Sequence, residues 1–185
     1  MSFSFDIQES KIIKDLWIIK PDMGKDSRGN IWTSFHKDYI EKLLPPTLFF
    51  KHDKFSTSVQ NVLRGIHGDD KSYKLVTCVY GEILQVVVDC RKESPSYLKY
   101  EKFLINEDNQ ILLLLTPRMG NAHLVKSHKA VYHYKYAYDG EYADINEQFT
   151  FAYNDDRIGI DWGIKDPIIS ERDLAATKED HTKGH

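Results

Sequence analysis

Four stretches in the middle of the chain, residues 75–80, 83–88, 110–115 and 130–138, are rich in β-branched and aromatic residues and alternate at period two. The pattern puts successive side chains on opposite faces of a strand. Turn clusters separate the stretches: Gly68-Asp69-Asp70, Tyr80-Gly81-Glu82, Asn106-Glu107-Asp108-Asn109 and Asp139-Gly140. Many short strands with close turns predict a mainly β protein, an antiparallel sandwich or barrel in which a closed or doubled sheet leaves few exposed edges. Helix is scarce. Residues 38–44 predict one short helix, ended by Pro45-Pro46 because proline cannot continue it. A second helix is expected to start at Ser170, where Ser170 and Asp173 have capping-box spacing with an acidic third position.

A length of 185 residues with 41% apolar content is enough for one substantial core, so a single domain over residues 1–185 is expected, with a polar, frayed tail at 178–185. The first residues lack a basic stretch followed by an apolar one, and no apolar run is long enough to span a bilayer. A cytoplasmic protein without membrane contact is expected. The formal charge of -3 argues against nonspecific nucleic-acid binding, which needs a broad basic face. Any phosphate contact must come from a few focused cations, and Arg28, Arg64 and Lys74 are the candidates. Cys78 and Cys90 lie in Val-rich, strand-like segments and read as buried thiols, not a disulfide framework.

The chemistry-bearing residues cluster in a few motifs. Asn61-Val62-Leu63-Arg64-Gly65-Ile66-His67, followed by Lys74-Leu75-Val76, sets an imidazole and two cations beside what reads as a glycine turn. Such a group could bind an anionic substrate and move a proton on it, because histidine exchanges protons near neutral pH. Taken alone, a single histidine after a glycine turn is more often structural. Strict alternation in Tyr132-His133-Tyr134-Lys135-Tyr136-Ala137-Tyr138 puts four tyrosines on one strand face, where most are expected to be packing. Gly120-Asn121-Ala122-His123 reads as a further turn. No His-x-His pair occurs: after His67 come Gly68 and Asp69, so the imidazole-rich metal site found in many cupins is not expected.

In order along the chain, Val62 to His67, Lys74-Leu75-Val76, Gly81-Glu82, Val88 to Pro95, Tyr134-Lys135, Ile158 to Trp162 and Ser170 to Asp173 resemble the dTDP-4-dehydrorhamnose 3,5-epimerase family over nearly the whole chain. The resemblance implies a cupin, or jelly-roll, antiparallel β-barrel and epimerisation beside the ketone of a nucleotide-linked 4-keto sugar, without metal or other cofactor. By the same resemblance His67 is the base, Asp173 its carboxylate partner, Lys74 the stabiliser of charge on the C4 oxygen and Tyr134 the acid on the opposite face. A lysine near Tyr134 is expected to ease its ionisation. Arg64 corresponds to a diphosphate contact, Arg28 to one that reaches across a homodimer interface, and His123 to a binding histidine.

The chain departs from the family near Thr33, at Gln85, which stands in place of an aspartate, and where a Gln-x-Asn pair near the thymidine is replaced by His52 and Lys54, which the resemblance makes nucleotide-binding residues here. In detail it resembles the branch acting on GDP-linked 4-keto heptoses for bacterial capsule polysaccharides, and these departures are consistent with a different base and a larger sugar. The alternatives are a dTDP-linked 4-keto-6-deoxyhexose epimerase, a 3,4-ketoisomerase, and a noncatalytic cupin that only binds sugar nucleotides.

Overall fold

Thirteen strands and two short helices account for the regular structure of residues 4–177, the part that the computed structural model describes. In chain order they are β1 (Phe5–Glu9), β2 (Trp17–Pro21), β3 (Met23–Asp26), β4 (Gly29–Trp32), α1 (Lys37–Ile40), β5 (Phe50–Val59), β6 (Leu63–Gly68) and β7 (Tyr73–Tyr80). These are followed by β8 (Ile83–Asp89), β9 (Tyr100–Ile105), β10 (Leu112–Leu115), β11 (Met119–Val125), β12 (Lys129–Ala137), β13 (Phe149–Thr150) and α2 (Glu171–Ala176).

The strands form a six-stranded sheet, β1-β2-β10-β7-β12-β5, and a five-stranded sheet, β13-β6-β11-β8-β9, while β3 and β4 form a separate hairpin. Neighbouring strands within each sheet pair antiparallel, as the short turns require. All four stretches form strands, although the third is regular only over Leu112–Leu115 and the fourth ends at Ala137, and the second and third run largely apolar where alternation is expected. The helix expected over residues 38–44 is α1 running into a 3₁₀ turn, Glu41–Leu43, and Leu44 is already extended ahead of the prolines. The tail expected at 178–185 lies outside the described residues.

Alternation assigns three apolar layers. Val76, Cys78, Leu113, Leu115, Ala130 and Tyr132 from the larger sheet meet Ile83, Val87, Phe103, Ile105, Met119 and Val125 from the smaller one. On the far side of the larger sheet, Leu75, Leu112, Leu114 and Ala137 pack under Ile40, Leu44 and Phe35. On the far side of the smaller sheet, Leu63, Ile66, Val86, Val88, Ala122 and Leu124 pack under Ile158 and Trp162. Each sheet is thus covered on both faces, which is why β8 and β10 read as nearly continuous apolar runs.

The same parity sends polar side chains inward at one end of the sandwich. Lys74 precedes Val76 by two, Gln85 lies between Ile83 and Val87, Asn121 and His123 lie between Met119 and Val125, and Tyr134 and Tyr136 continue the face of Tyr132. Two segments expected to be turns are strands. Leu63–Gly68 is β6, and Gly120 to His123 lies within β11; both are central to the smaller sheet, where ladder hydrogen bonds satisfy the backbone.

Candidate active site

Arg64 and His67 are three residues apart, so a regular strand would place them on opposite faces. The β6–β11 ladder shifts register between them: His123 pairs with Arg64 and Asn121 pairs with His67, so two residues of β6 oppose one of β11. This bulge turns both side chains toward the cavity between the sheets. It also explains Gly65. Its φ is +118°, and a Cβ there would stand 2.5 Å from the Asn121 carbonyl oxygen and 2.6 Å from the Ala122 Cβ.

The cavity has a volume of about 650 Å³, within the range of small-molecule sites. Arg64, His67, Lys74, Tyr134 and Asp173 all line it. His67 comes from β6, Lys74 from β7, Tyr134 from β12 and Asp173 from α2, so both sheets and the C-terminal helix converge on one space.

His67 Nε2 lies 2.5 Å from Asp173 Oδ1. The other carboxylate oxygen of Asp173 accepts from the Ser170 hydroxyl at 2.9 Å, and the Asp173 amide donates back to Ser170 Oγ at 3.2 Å. The expected helix cap and the expected pairing with His67 therefore coexist, and the cap is what aims the carboxylate. Burial raises the Asp173 carboxyl pKa, but the hydrogen bond and charge of His67, with the bond from Ser170, leave it below the usual range. The approach of α2 to β6 is fixed by Leu63 N–H donating to the Ile168 carbonyl at 2.9 Å and Ile168 N–H donating to that of Asn61 at 2.8 Å.

Tyr134 lies across the larger sheet's inner face, stacked 5.8 Å from Tyr136. Burial pushes its phenol up to about 12 against the opposing effect of the Arg64 charge, so at neutral pH it carries its proton and can donate it. The expectation that a lysine eases its ionisation is corrected in two respects. The cation that acts on Tyr134 is Arg64, and Lys74 is engaged elsewhere, with its Nζ 2.8 Å from Asp69 Oδ2 in a buried ion pair. Arg64 is held by Nε donating to Ser58 Oγ at 3.0 Å and otherwise reaches into the cavity.

The remaining expected binding residues divide. Lys54 lines the cavity mouth and donates to the Tyr142 hydroxyl at 3.2 Å. His52, expected as a direct contact, does not line it. Its ring is enclosed by Tyr136, Tyr138 and Tyr142, with Tyr142 centred 4.8 Å away, because β5 turns this side chain into an aromatic cluster behind the mouth. His123 does not line the cavity either. It is buried and stacked 4.0 Å from Tyr132. Burial, then the charges of Arg64 and His67, bring its pKa down to about 3, so it is a neutral imidazole beneath the floor. Arg28 is exposed on the β3–β4 hairpin, paired with Asp26 at 2.5 Å, and does not line the cavity of its own chain.

Sequence reasoning missed Asp69, Asn121, Tyr136, Tyr142 and Arg172. Tyr136 was expected only to pack, yet it lines the cavity two residues from Tyr134, as strand parity dictates. Asn121 forms part of a buried network in which the Tyr132 hydroxyl donates to Gln85 Oε1 at 2.6 Å and Gln85 Nε2 donates to Asn121 Oδ1 at 2.7 Å. Gln85 thus puts a neutral amide where the family resemblance has a carboxylate. Arg172 ties α2 to the segment closing the cavity, donating to Thr150 Oγ1 at 2.8 Å and Gln148 Oε1 at 3.1 Å. Among the described residues no three His, Cys, Asp or Glu side chains are grouped as a metal site would require. Cys78 and Cys90 are free, and burial pushes their thiols up to about 11 and about 12, so neither is a ready nucleophile.

An imidazole–carboxylate pair, a protonated phenol and two cations around one cavity in an antiparallel cupin-type sandwich define a class of enzyme that moves protons on an anionic substrate. The profile of the dTDP-4-dehydrorhamnose 3,5-epimerase family matches residues 10–180, and the chain belongs to that family. It is a carbohydrate epimerase. The dTDP-4-dehydrorhamnose 3,5-epimerase of Salmonella typhimurium is 32% identical over 168 residues, covering 89% of this chain and 90% of that one. Its counterpart in Escherichia coli K12 is 34% identical over 153 residues, with 81% of each chain covered. Among solved structures, the dTDP-6-deoxy-D-glucose-3,5-epimerase of Legionella pneumophila in complex with dTDP-4-keto-L-rhamnose superimposes with a TM-score of 0.83. It is 30% identical and covers 94% of this chain and 92% of that one.

No helix among the described residues is long and apolar enough to cross a membrane.

Proposed function

We propose that this protein inverts C3, C5 or both in a nucleotide-linked 4-keto sugar. The observation that carries the proposal is the His67–Asp173 hydrogen bond facing the same cavity as Lys74 and Tyr134. With Nε2 occupied by Asp173, the other ring nitrogen, Nδ1, takes the proton from the carbon next to the ketone. Asp173 fixes the tautomer and stabilises the imidazolium that forms. Lys74 donates to the C4 oxygen as negative charge develops on it. Tyr134 gives a proton to the opposite face; its phenolate then recovers a proton from solvent, and the His67 imidazolium releases the proton it took to solvent. Arg64 pairs with the diphosphate, for which a guanidinium fork is suited.

The relatives' names support a dTDP-linked 4-keto-6-deoxyhexose as substrate. A second reading, a GDP-linked 4-keto heptose destined for capsule polysaccharide, is favoured by one specific feature. Where the family resemblance has a Gln-x-Asn pair near the thymidine, this chain has His52 packed behind Tyr142 and Lys54 bonded to it. Competition between GDP and dTDP for the protein decides between the two: tighter dTDP binding supports the first and tighter GDP binding the second.

The proposal includes a cytoplasmic homodimer. The exposed Arg28, and Phe55 and Val59 on edge strand β5 at 60% and 57% exposure, support a partner surface. Light scattering would give twice the monomer mass. A mass of one chain would remove the role proposed for Arg28.

A further inference from the structure

Lysine is a flexible ammonium on a four-carbon stem with three donors and no preferred direction, so a buried lysine that must meet one oxygen needs an anchor. Lys74 is 6% exposed, and Asp69, at 3%, supplies that anchor through Oδ2 at 2.8 Å. The carboxylate is itself constrained. Asp69 Oδ1 accepts from the Ser72 amide at 2.6 Å and the Lys71 amide at 3.1 Å, while the Asp69 carbonyl accepts from the Arg118 amide at 2.8 Å. One oxygen thus fixes the turn between β6 and β7, and the other fixes the lysine that begins the inward face of β7. Burial alone would raise the Asp69 pKa, but the Lys74 charge and the hydrogen bonds from Lys74 and Ser72 bring it below the usual range.

We propose that Asp69 is a positioning residue: it holds the Lys74 ammonium over the cavity shared by His67 and Tyr134, with its remaining N–H groups free for the substrate's C4 oxygen. The inference rests on the reading given under Proposed function. It adds that the charge stabiliser is a pre-oriented ion pair, not a mobile lysine. Because the pair is closed before substrate arrives, little reorganisation is needed as the enolate forms.

The test is Asp69→Asn in the full chain, made alone and together with Lys74→Met. Asparagine keeps an oxygen for the Lys71 and Ser72 amides, so the turn is preserved and only the negative charge that faces Lys74 is lost. With the dTDP-linked 4-keto-6-deoxyhexose or the GDP-linked 4-keto heptose, whichever is turned over, kcat is expected to fall roughly 10- to 100-fold while KM changes less than about threefold. In the Lys74→Met background the same substitution is expected to cost less than about twofold, because the residue it positions is gone. An equal loss in both backgrounds, or no loss in either, overturns the proposal. A second measurement needs no turnover: the rate at which Lys74 is acylated by N-hydroxysuccinimide acetate, followed by peptide mass spectrometry. Asp69→Asn is expected to raise it at least about fivefold, and an unchanged rate overturns the anchoring. If the unsubstituted protein turns over neither sugar, the reading of function fails, and the labelling rates still decide the anchoring independently.

Discussion

His67 Nε2 and Asp173 Oδ1 meet at 2.5 Å, joining the bulged strand β6 to the first turn of α2 across 106 residues of chain. Neither end is loose. Ser170 holds the second oxygen of Asp173, and the bulge at Gly65 brings the His67 ring around to meet the first.

Asp173→Asn should leave the fold intact and lower kcat by about 10²- to 10⁴-fold, since the amide can impose the wrong tautomer on His67 and cannot stabilise the imidazolium. Ser170→Ala should cost about 1 kcal/mol of stability through the lost cap, with a smaller fall in kcat. Steady-state kinetics and thermal unfolding of both variants check this pair.

Tyr134→Phe should separate proton removal from inversion. His67 can still take the proton and return a deuteron to the same face, so exchange with deuterated water should persist while product with inverted configuration falls at least about 100-fold. Loss of exchange and inversion together would move the acid role away from Tyr134.

Gly65→Ala should be severely destabilising, by roughly 3 kcal/mol or more, because its Cβ would stand 2.5 Å from the Asn121 carbonyl in a strand packed on both sides. Gly140→Ala, where φ is also positive at +66° but nothing lies within 4 Å, should cost only about 1 kcal/mol. Urea denaturation of the two variants measures the contrast.

Stability should fall in two stages on acidification. His123 has a folded pKa brought down to about 3, so the unfolded chain binds its proton first. Its contribution is fully present above about pH 6.5 and is lost as pH falls toward 3, at up to about 1.4 kcal/mol per pH unit. Asp69, Asp89 and Asp173 are buried carboxyls whose pKa values are lowered, so their contribution is present above about pH 4 and is lost below it. His123→Phe should remove the first stage and leave the second, as read from Tm at pH values between 7 and 3.

Much of this was legible in the chain, and the gaps share one cause. Strand-like composition gave the strands at 75–80, 83–88 and 130–137, and Ser170 with Asp173 marked the helix cap, while the pairing of Asp173 with His67 followed from the family resemblance. The motif around Gly65 reads as a turn because glycine is one of the strongest local turn signals. Only the opposing β11 backbone reveals a bulge, and that contact is nonlocal. Asp69 was seen as turn chemistry, which it is, but its second oxygen serves Lys74 through the fold. His52 packs against Tyr142 and His123 is buried against Tyr132, and both placements depend on packing that no spacing encodes. Tyr136 could have been found, since the alternation that places Tyr134 inward places it inward too.

The most direct test is NMR in deuterated water with the dTDP-linked 4-keto-6-deoxyhexose and, separately, the GDP-linked 4-keto heptose, following the C3 and C5 proton signals and the product couplings. Deuterium entering C3, C5 or both of one substrate, with couplings that report inversion and with exchange abolished in His67→Asn, is the predicted result. Binding of either nucleotide sugar with no exchange at either carbon of both would contradict the account and leave a cupin that only binds.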